Sequence, residues 1–324
     1  MVTTLAQAKL NTQDAYDVNV IDEFRKSNAL LDLMEWDQAV NPQGGGATLD
    51  YSYRRQKTQA SASFRKINTE YTPGSVTTEK HTITLAELGG SYEIDRRIAN
   101  LGPAATAEIA LQTLNKVKAA SALLSDSIIN GDSAADEDSF DGLDKALTGS
   151  STEITDGKDW SAFTDATSAM VILDDLDELQ SEIDGATSVM IANKHALSKM
   201  RAAARRANMY VSEPVADLRL PDGRQLTRQS IGGVLFVDPG EKAGSSDLVI
   251  PVDATTGTTS IYAVRMGLDG FHGVTTAGGN LVRTLLPDFT TAGAVKTGEV
   301  YLENVAVVLK ATRAAAVLRD VKVR

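Results

Sequence analysis

The sequence predicts an α+β protein, and three stretches carry that prediction. Residues 103–130 form a long amphipathic run bounded by Gly102-Pro103 and Asn130-Gly131. Residues 48–82 are polar, β-prone and extended, without a continuous apolar face. Beyond Lys158 short apolar strands alternate with helical segments, and the chain closes on the strand-forming series Val300, Leu302, Val305, Val307 and Leu309. Helical periodicity in one region and strand periodicity in others define the mixed class.

In order, residues 1–19 are polar with scattered small apolar side chains and are expected to form an arm ordered only by contacts. Residues 20–36 place Val20, Phe24, Leu31 and Met34 at helical spacing. Asn41-Pro42 and Gly44-Gly45-Gly46 then break the chain. Residues 48–82 contain Tyr51, Tyr53, Thr58, Phe64, Ile67, Tyr71 and Val76, with Pro73-Gly74 as the one strong turn signal. This pattern predicts an irregular β-hairpin or loop. A stretch of that length is uncommon inside a compact domain and signals function or disorder. Each arm of the hairpin has a reach of roughly 40 Å. That exceeds what one small domain can cover, and another copy of the same chain is the simplest cover.

Residues 82–98 resume strand-like texture. The helix at 103–130 starts on proline at the first helical position and stops at Asn-Gly. Ala107, Ala110, Leu114, Val117, Ser121, Leu124 and Ile128 recur along it every three or four residues. It spans ~40 Å, long enough to be the spine of a flat subunit. Leu114, Val117 and Leu124 are expected to face a sheet built partly from residues 300–309, which would make Leu114→Ala cost about 2–5 kcal/mol. Residues 160–183 are expected to be helical, 189–192 a short buried strand and 194–208 a basic helix. Strands are expected at 231–237, 248–252, 259–266, 281–286 and 299–310.

A chain of 324 residues can bury a substantial core, as one large domain or two intertwined ones. Cysteine is absent, which excludes disulfides, a thiolate nucleophile and a zinc–thiolate site and suits a reducing compartment. Residues 1–10 lack the basic start and apolar run of a secretory signal, and no apolar run reaches the ~18 residues of a membrane span. The net charge of −11 argues against a dedicated nucleic-acid binder, whose affinity rests on Lys and Arg. That charge is uneven. Residues 48–82 carry six bases (Arg54, Arg55, Lys57, Arg65, Lys66, Lys80) against three acids, a net of +3, which leaves −14 on the rest. A basic arm on an acidic body favours docking onto neighbouring copies.

Catalytic and cofactor motifs are largely missing. His81, His195 and His272 lie far apart and read as surface or loop residues. No dinucleotide fingerprint, phosphate loop, nucleophile elbow or paired-histidine zinc helix occurs. Ser63-Phe64-Arg65-Lys66 and Lys296-Thr297-Gly298 match two motifs of serine β-lactamases, which would make the chain a serine hydrolase. That chemistry needs the serine at the start of a buried helix; here it sits in a polar extended segment, and no Ser-Asp-Asn lies between the motifs. Asp132, Asp136, Glu137, Asp138, Asp141 and Asp144 crowd one loop, but a calcium loop needs glycine sixth, and counting from Asp136 that position is Asp141. A solvated acidic turn is expected instead. In the basic helix Arg201 and Arg205 share a face beside Lys199 and Arg206, which fits a subunit contact or a solvated face better than nucleic-acid recognition. No catalytic residue, metal or cofactor is expected.

The order of these elements resembles the major capsid protein of tailed bacteriophages, in the fold typed by the Hong Kong 97 phage. Asn130-Gly131-Asp132 with Phe140-Asp141-Gly142-Leu143 is similar to that family's exit from its spine helix. Ser188-Val189-Met190-Ile191-Ala192-Asn193 resembles the first strand of its axial domain. Ile231-Gly232-Gly233-Val234-Leu235-Phe236-Val237, Ile261-Tyr262-Ala263-Val264-Arg265-Met266-Gly267 and Arg313-Ala314-Ala315-Ala316-Val317 are similar in texture. The resemblance covers nearly the whole chain and rests on element order more than on single motifs.

The resemblance implies an N-terminal arm at 1–47, an extended loop at 48–82, a peripheral domain at 83–157 with its spine at 103–130, an axial domain at 158–285 and a return to the peripheral domain at 286–324. It implies a virion capsid protein that is not an enzyme, assembled in the host cytoplasm into pentamers and hexamers of an icosahedral shell. Double-stranded DNA would be enclosed without sequence-specific binding, no membrane would be involved, and separate scaffold, portal and decoration proteins would be possible partners. An encapsulin-type nanocompartment shell is the alternative on the same fold. Tyr51, Tyr53, Arg54, Arg55, Lys57, Phe64, Arg65 and Lys66 are the expected intersubunit contacts. Changing Arg54, Arg55 and Lys57 together to Glu is then expected to block assembly and leave the monomer folded. Many relatives carry about a hundred residues of cleaved scaffold before the arm; this chain starts almost directly with the arm, which implies a separate scaffold or none. Lys57 or Lys66 would suit a crosslinking lysine, but no segment identifies its partners, so crosslinking is not expected.

Overall fold

The computed structural model of the protein describes residues 29–38, 40, 49–99, 103–162, 166–207, 210–219, 225–231, 233–277 and 281–324. In chain order they form α1 (Ala29–Leu33), β1 (Trp36–Asp37), β2 (Asp50–Gln56), β3 (Thr78–Thr84), β4 (Ala86–Asp95), α2 (Arg96–Ala99), α3 (Pro103–Asn130), α4 (Leu143–Leu147) and β5 (Glu153–Ile154). There follow α5 (Ala166–Ser181), β6 (Val189–Ile191), α6 (Lys194–Arg206), β7 (Tyr210–Arg219), β8 (Gln225–Ile231) and β9 (Val234–Val237). The chain ends on β10 (Thr258–Val264), β11 (Phe271–Thr275), β12 (Val282–Leu285), β13 (Val295–Leu309) and β14 (Ala315–Lys322). This is the α+β arrangement the sequence predicts. Of the expected arm at 1–47, residues 1–28, 39 and 41–47 lie outside the described residues, and with them the 20–28 part of the expected helix.

Two sheets and one hairpin hold these strands. β13, fifteen residues long, is the centre of a five-stranded sheet. β4 pairs antiparallel along one edge of it, from Asp95↔Val295 to Ala86↔Val305. On the opposite edge β12 takes residues 299–302 and β11 takes 305–309, and β1 adds to β11 in parallel. The second sheet has seven strands in the order β5-β14-β10-β6-β9-β8-β7. β2 and β3 pair with each other, from Asp50↔Thr84 to Gln56↔Thr78.

The central strands of the seven-stranded sheet are buried on both faces, and the period of two divides their side chains between two cores. Val189, Ile191, Tyr262, Val264, Ala315 and Val317 join the core that also contains Leu124 and Ile128 of α3, Phe140, Leu143 and the C-terminal half of β13. Met190, Ala192, Ile261, Ala263, Ala316 and Leu318 join Ile172, Leu176 and Leu179 of α5 and Met200, Ala203 and Ala204 of α6. Asn193 starts α6 as its cap, accepting from the backbone N–H groups of His195 and Ala196. Its buried amide donates to the Ile250 carbonyl and to Thr259.

Several expectations shift. The helix expected through residue 36 ends at Leu33, because Trp36 and Asp37 pair with β11. Gly273 is the reason the indole can lie there: a Cβ at 273 would stand 2.4 Å from a Trp36 ring carbon. α5 starts at Ala166 rather than 160, since Trp160 is spent in the core, its Nε1 donating to Asp175 at 2.7 Å. Residues 231–237 split into β8 and β9 at Gly233, which sits at φ +84°. Residues 248–252 are no strand: Val249 and Ile250 are buried, but Leu248 makes a single bridge to Glu241 and Pro251 ends the run.

The division expected at 285/286 also fails to follow the sheets. β11 and β12 from the first segment lie in the five-stranded sheet, while β14 from the last segment lies in the seven-stranded one. Strand partners are chosen by distant pairing that local texture does not encode. On α3, Leu124 is fully buried as expected, but Leu114 is 58 % exposed. Thr113 faces the sheet in its place, sharing a hydrogen bond with Tyr92 of β4, and Lys116 lies over Gly90. The N-terminal half of the helix thus meets the sheet through Thr113 and Lys116, one position off the apolar repeat, and through Ile109, which packs against Ile94 of β4.

Leu124→Ala should therefore cost about 2–5 kcal/mol and Leu114→Ala less than about 0.5 kcal/mol. Denaturant titration of the unassembled protein checks both, and equal losses would contradict this placement of α3.

Candidate assembly surface

β2 alternates, with Asp50, Ser52, Arg54 and Gln56 outward and Tyr51, Tyr53 and Arg55 inward. The inward row is anchored on the body. Tyr51 is buried and its phenol donates to Asp37 at 2.9 Å; burial and that carboxylate push its pKa far above the usual value and keep it a donor. The Tyr53 hydroxyl donates to the Leu309 carbonyl at 3.2 Å, and its ring stacks on His81 at 5.4 Å. Arg55 donates through Nε to the Lys310 carbonyl (3.0 Å), through Nη2 to the Leu309 carbonyl (2.8 Å) and through Nη1 to Thr312 (3.3 Å). One guanidinium thereby satisfies the carbonyls left where β13 ends and the chain turns toward β14.

Beyond Gln56 the chain leaves the body. The two arms stay joined at their base, where Lys57 N–H donates to the Thr77 carbonyl and Thr77 N–H to Thr58 Oγ1, both at 2.8 Å. Every residue from 57 to 77 is exposed. Phe64 (106 %) and Ile67 (90 %) stand free, with Tyr71 and Val76 also largely uncovered. Large apolar side chains clustered in this way mark an interaction surface.

The eight residues expected to make intersubunit contacts divide into two groups. Tyr51, Tyr53 and Arg55 are engaged within their own subunit, while Arg54, Lys57, Phe64, Arg65 and Lys66 face outward. Of the outward group, Lys57 lies 3.5 Å from Glu79 in an exposed pair. The triple change of Arg54, Arg55 and Lys57 would undo the Arg55 anchor as well as the surface charge. Residues that sequence reading did not single out complete the root: Asp37, Ile83, Lys310 and Thr312. The period-two row in β2 was the available signal for the inward side chains, but nothing local indicates that Tyr53 and Arg55 find their partners some 250 residues on.

The acidic turn is built around a lysine. Lys145 Nζ binds Asp132 and, at 2.9 Å, Asp141, while Asp141 also accepts from Ser133. Lys145 holds the Asp132 carboxyl below the usual carboxylate range. Among the described residues no group of three His, Cys, Asp or Glu is placed to hold a metal ion. Ser63 lies in the exposed segment with no helix, and Lys296 turns instead to Thr291 and the Ala292 carbonyl, so neither hydrolase motif is assembled. In the basic helix Lys199 donates to the Ser161 carbonyl and Arg205 is exposed.

His272 is a correction: it is fully buried on β11, not a surface residue. Its ring meets Tyr51 edge-on at 6.2 Å, Nε2 lies 4.0 Å from Asp37, and neither nitrogen has a hydrogen-bond partner among the described residues.

No family model and no curated protein sequence matches the chain. Solved structures do. The SrpI encapsulin from Synechococcus elongatus is similar with a TM-score of 0.63 at 16 % identity, covering 100 % of this chain and 97 % of that one. The capsid of a native GTA particle gives 0.59 at 14 %, covering 98 % of each. The capsid of the Myoviridae phage XM1 gives 0.57 at 12 %, covering 94 % and 96 %. The fold is that of capsid shell proteins. Within that class the fold is of the Hong Kong 97 type.

Two measurements probe the root. Arg55→Ala should cost about 1–3 kcal/mol through the stranded carbonyls and speed amide exchange in β2 and β3 of the unassembled protein; unchanged exchange would mean that the guanidinium does not hold the hairpin. Burial lowers the His272 pKa, with Lys310 adding to it and Asp37 and Asp269 opposing. The unfolded chain then takes up a proton at pH values where the folded one does not, so stability falls as pH drops below about 6.5, by at most about 1.4 kcal/mol per unit. In His272→Leu that part of the pH dependence should vanish, read as the difference between the two proteins in denaturant titrations at several pH values.

Proposed function

We propose that the chain is the major subunit of an icosahedral capsid, assembling as pentamers and hexamers around double-stranded DNA. The observation that carries this reading is the hairpin: a structured root anchored on the body, and a 57–77 segment exposed throughout, on which Phe64 and Ile67 are left uncovered by the described residues. Covering Phe64, Ile67 and Tyr71 on a neighbour would contribute roughly 1.5–3 kcal/mol for each fully buried side chain. A closed shell repeats that gain at every subunit.

Segments 1–47 and 48–82 would serve as intersubunit arm and loop, with Arg54, Lys57, Phe64, Arg65 and Lys66 as contacts. α3 and the five-stranded sheet would form the peripheral part, and the seven-stranded sheet with α5 and α6 the axial part. The acidic balance of the body suits a container that must hold DNA without gripping it. Separate scaffold, portal and decoration proteins are its fitting partners, and the host cytoplasm its place of assembly.

An encapsulin-type compartment is the second reading, favoured by the likeness to the SrpI encapsulin. The two differ in contents. Electron microscopy of particles purified from the native source, with nuclease treatment and mass spectrometry, should find shells filled with DNA; shells filled with an enzyme would decide for the encapsulin.

The shell reading has its own test. Replacing residues 59–75 with a short turn should leave a folded protein of unchanged helix content that sediments as a small species. Wild-type-like shells from that protein would remove the loop from the assembly mechanism.

A further inference from the structure

His272 is the one fully buried imidazole among the described residues, and both of its nitrogens lack a hydrogen-bond partner there. A neutral imidazole carries one donor and one acceptor, so leaving both unmet is a standing cost to the fold. Charging the ring without opening its site costs more, because a buried cation needs a partner.

The groups that face the ring offer the charged form little. Asp37 on β1 lies 4.0 Å from Nε2, but its Oδ2 already accepts from the Tyr51 phenol at 2.9 Å. Tyr51 on β2 meets the ring edge-on at 6.2 Å. Lys310, just past β13, holds its Nζ 5.5 Å from the centre of the same Tyr51 ring and opposes a second cation. Asp269 and the Gly270 carbonyl, before β11, favour the cation, but Asp269 is exposed and paired with Arg265 at 2.6 Å. Burial outweighs these attractions and holds the imidazole below its usual range.

Tyr51 belongs to the segment with the fewest ties to the body. β2 and β3 form a sheet of their own. Their root is held by the side chains of Tyr51, Tyr53 and Arg55. Lifting β2 therefore uncovers His272 without breaking any strand pairing of the two larger sheets.

We propose that His272 is an acid-sensitive latch for the hairpin: neutral, it lies under Tyr51 with the root docked, and protonated, it favours a state in which β2 lifts away and water reaches the ring. The lifted state takes up its proton near the usual imidazole value of about 6.5, the docked state only at lower pH. Below about pH 6.5 the lifted population therefore rises up to about tenfold per pH unit, until the docked ring charges as well. Well above that value the latch stays closed. It belongs to the single subunit and does not depend on the shell reading.

Native-state hydrogen exchange of the unassembled protein tests the latch, with each rate corrected for intrinsic exchange at its pH. A lifted two-stranded ribbon is marginal in water, so its amides exchange. Protection of residues 50–56 and 78–84 should fall up to about tenfold per pH unit below about pH 6.5. That exchange should respond weakly to low urea, because lifting a hairpin exposes little surface, whereas β6 and β10 should respond steeply. In His272→Leu the hairpin's protection should stay level over the same range; His272→Gln, also neutral throughout, is the companion variant should the leucine protein not fold. Wild-type protection that does not change with pH overturns the latch. So does a fall that persists in the variant, which would put the trigger at another group such as His81, stacked on Tyr53. Hairpin exchange as steep in urea as that of β6 and β10 overturns it too, since the hairpin would then open only with the whole molecule.

Discussion

The end of β13 is where the molecule is tied together. At Leu309 and Lys310 the strand stops pairing with β11, and its last carbonyls would be left facing a part-buried corner. Arg55 fills that corner, bringing β2 with it, and Tyr53 adds a second donor to the same carbonyl as the guanidinium. The hairpin's angle to the body is thus set by charge-assisted hydrogen bonds to main-chain atoms. Main-chain acceptors do not move unless the sheet moves. A long projection otherwise has little to hold it, since a two-stranded ribbon is marginal on its own in water.

A second constraint is the two-sided burial of β6, β10 and β14. Because their alternate side chains serve different cores, the sheet bearing α5 and α6 cannot separate from α3 without opening the core around Leu124, Ile128 and Phe140. A part-buried network around Arg319 ties the same region. Its guanidinium binds Glu153 and, at 2.8 Å, Asp144, which also accepts from Tyr262. The body is held together from both faces of this sheet, and the two most exposed large apolar side chains, Phe64 and Ile67, stand on the projecting loop.

Much of this was legible in the sequence. Pro103 and Asn130-Gly131 bracket the helix at the positions where it starts and stops, because caps and breakers act locally. The buried strand at Val189 and the turn-poor polar stretch of 48–82 are local signals as well. What the sequence hid was long-range: that Trp36 pairs beside Gly273, that β14 joins β10 and not β13, and that Arg55 reaches the end of a strand some 250 residues away. Leu114 misled for another reason. Helical periodicity finds an apolar stripe but not which neighbour meets it, and Thr113 and Lys116 took the sheet-facing row through a hydrogen bond and an aliphatic stem. Of the candidate contacts, the alternation of Tyr51, Tyr53 and Arg55 against Ser52 and Arg54 could separate inward from outward residues, yet the tip residues had no pattern beyond lacking cover.

The length of β13 has a mechanical consequence. At ~3.4 Å per residue, fifteen residues make a strand of ~50 Å, bonded along both edges and joined at one end to the root of the projecting hairpin. Tension along its axis would load the ladder bonds to β4, β11 and β12 in parallel, so that many must shear together before any neighbour slides. A pull across the sheet would instead open them one after another. Set in a wall that resists pressure from inside, such a strand behaves as a tie rod, strongest in the direction in which the wall is stretched.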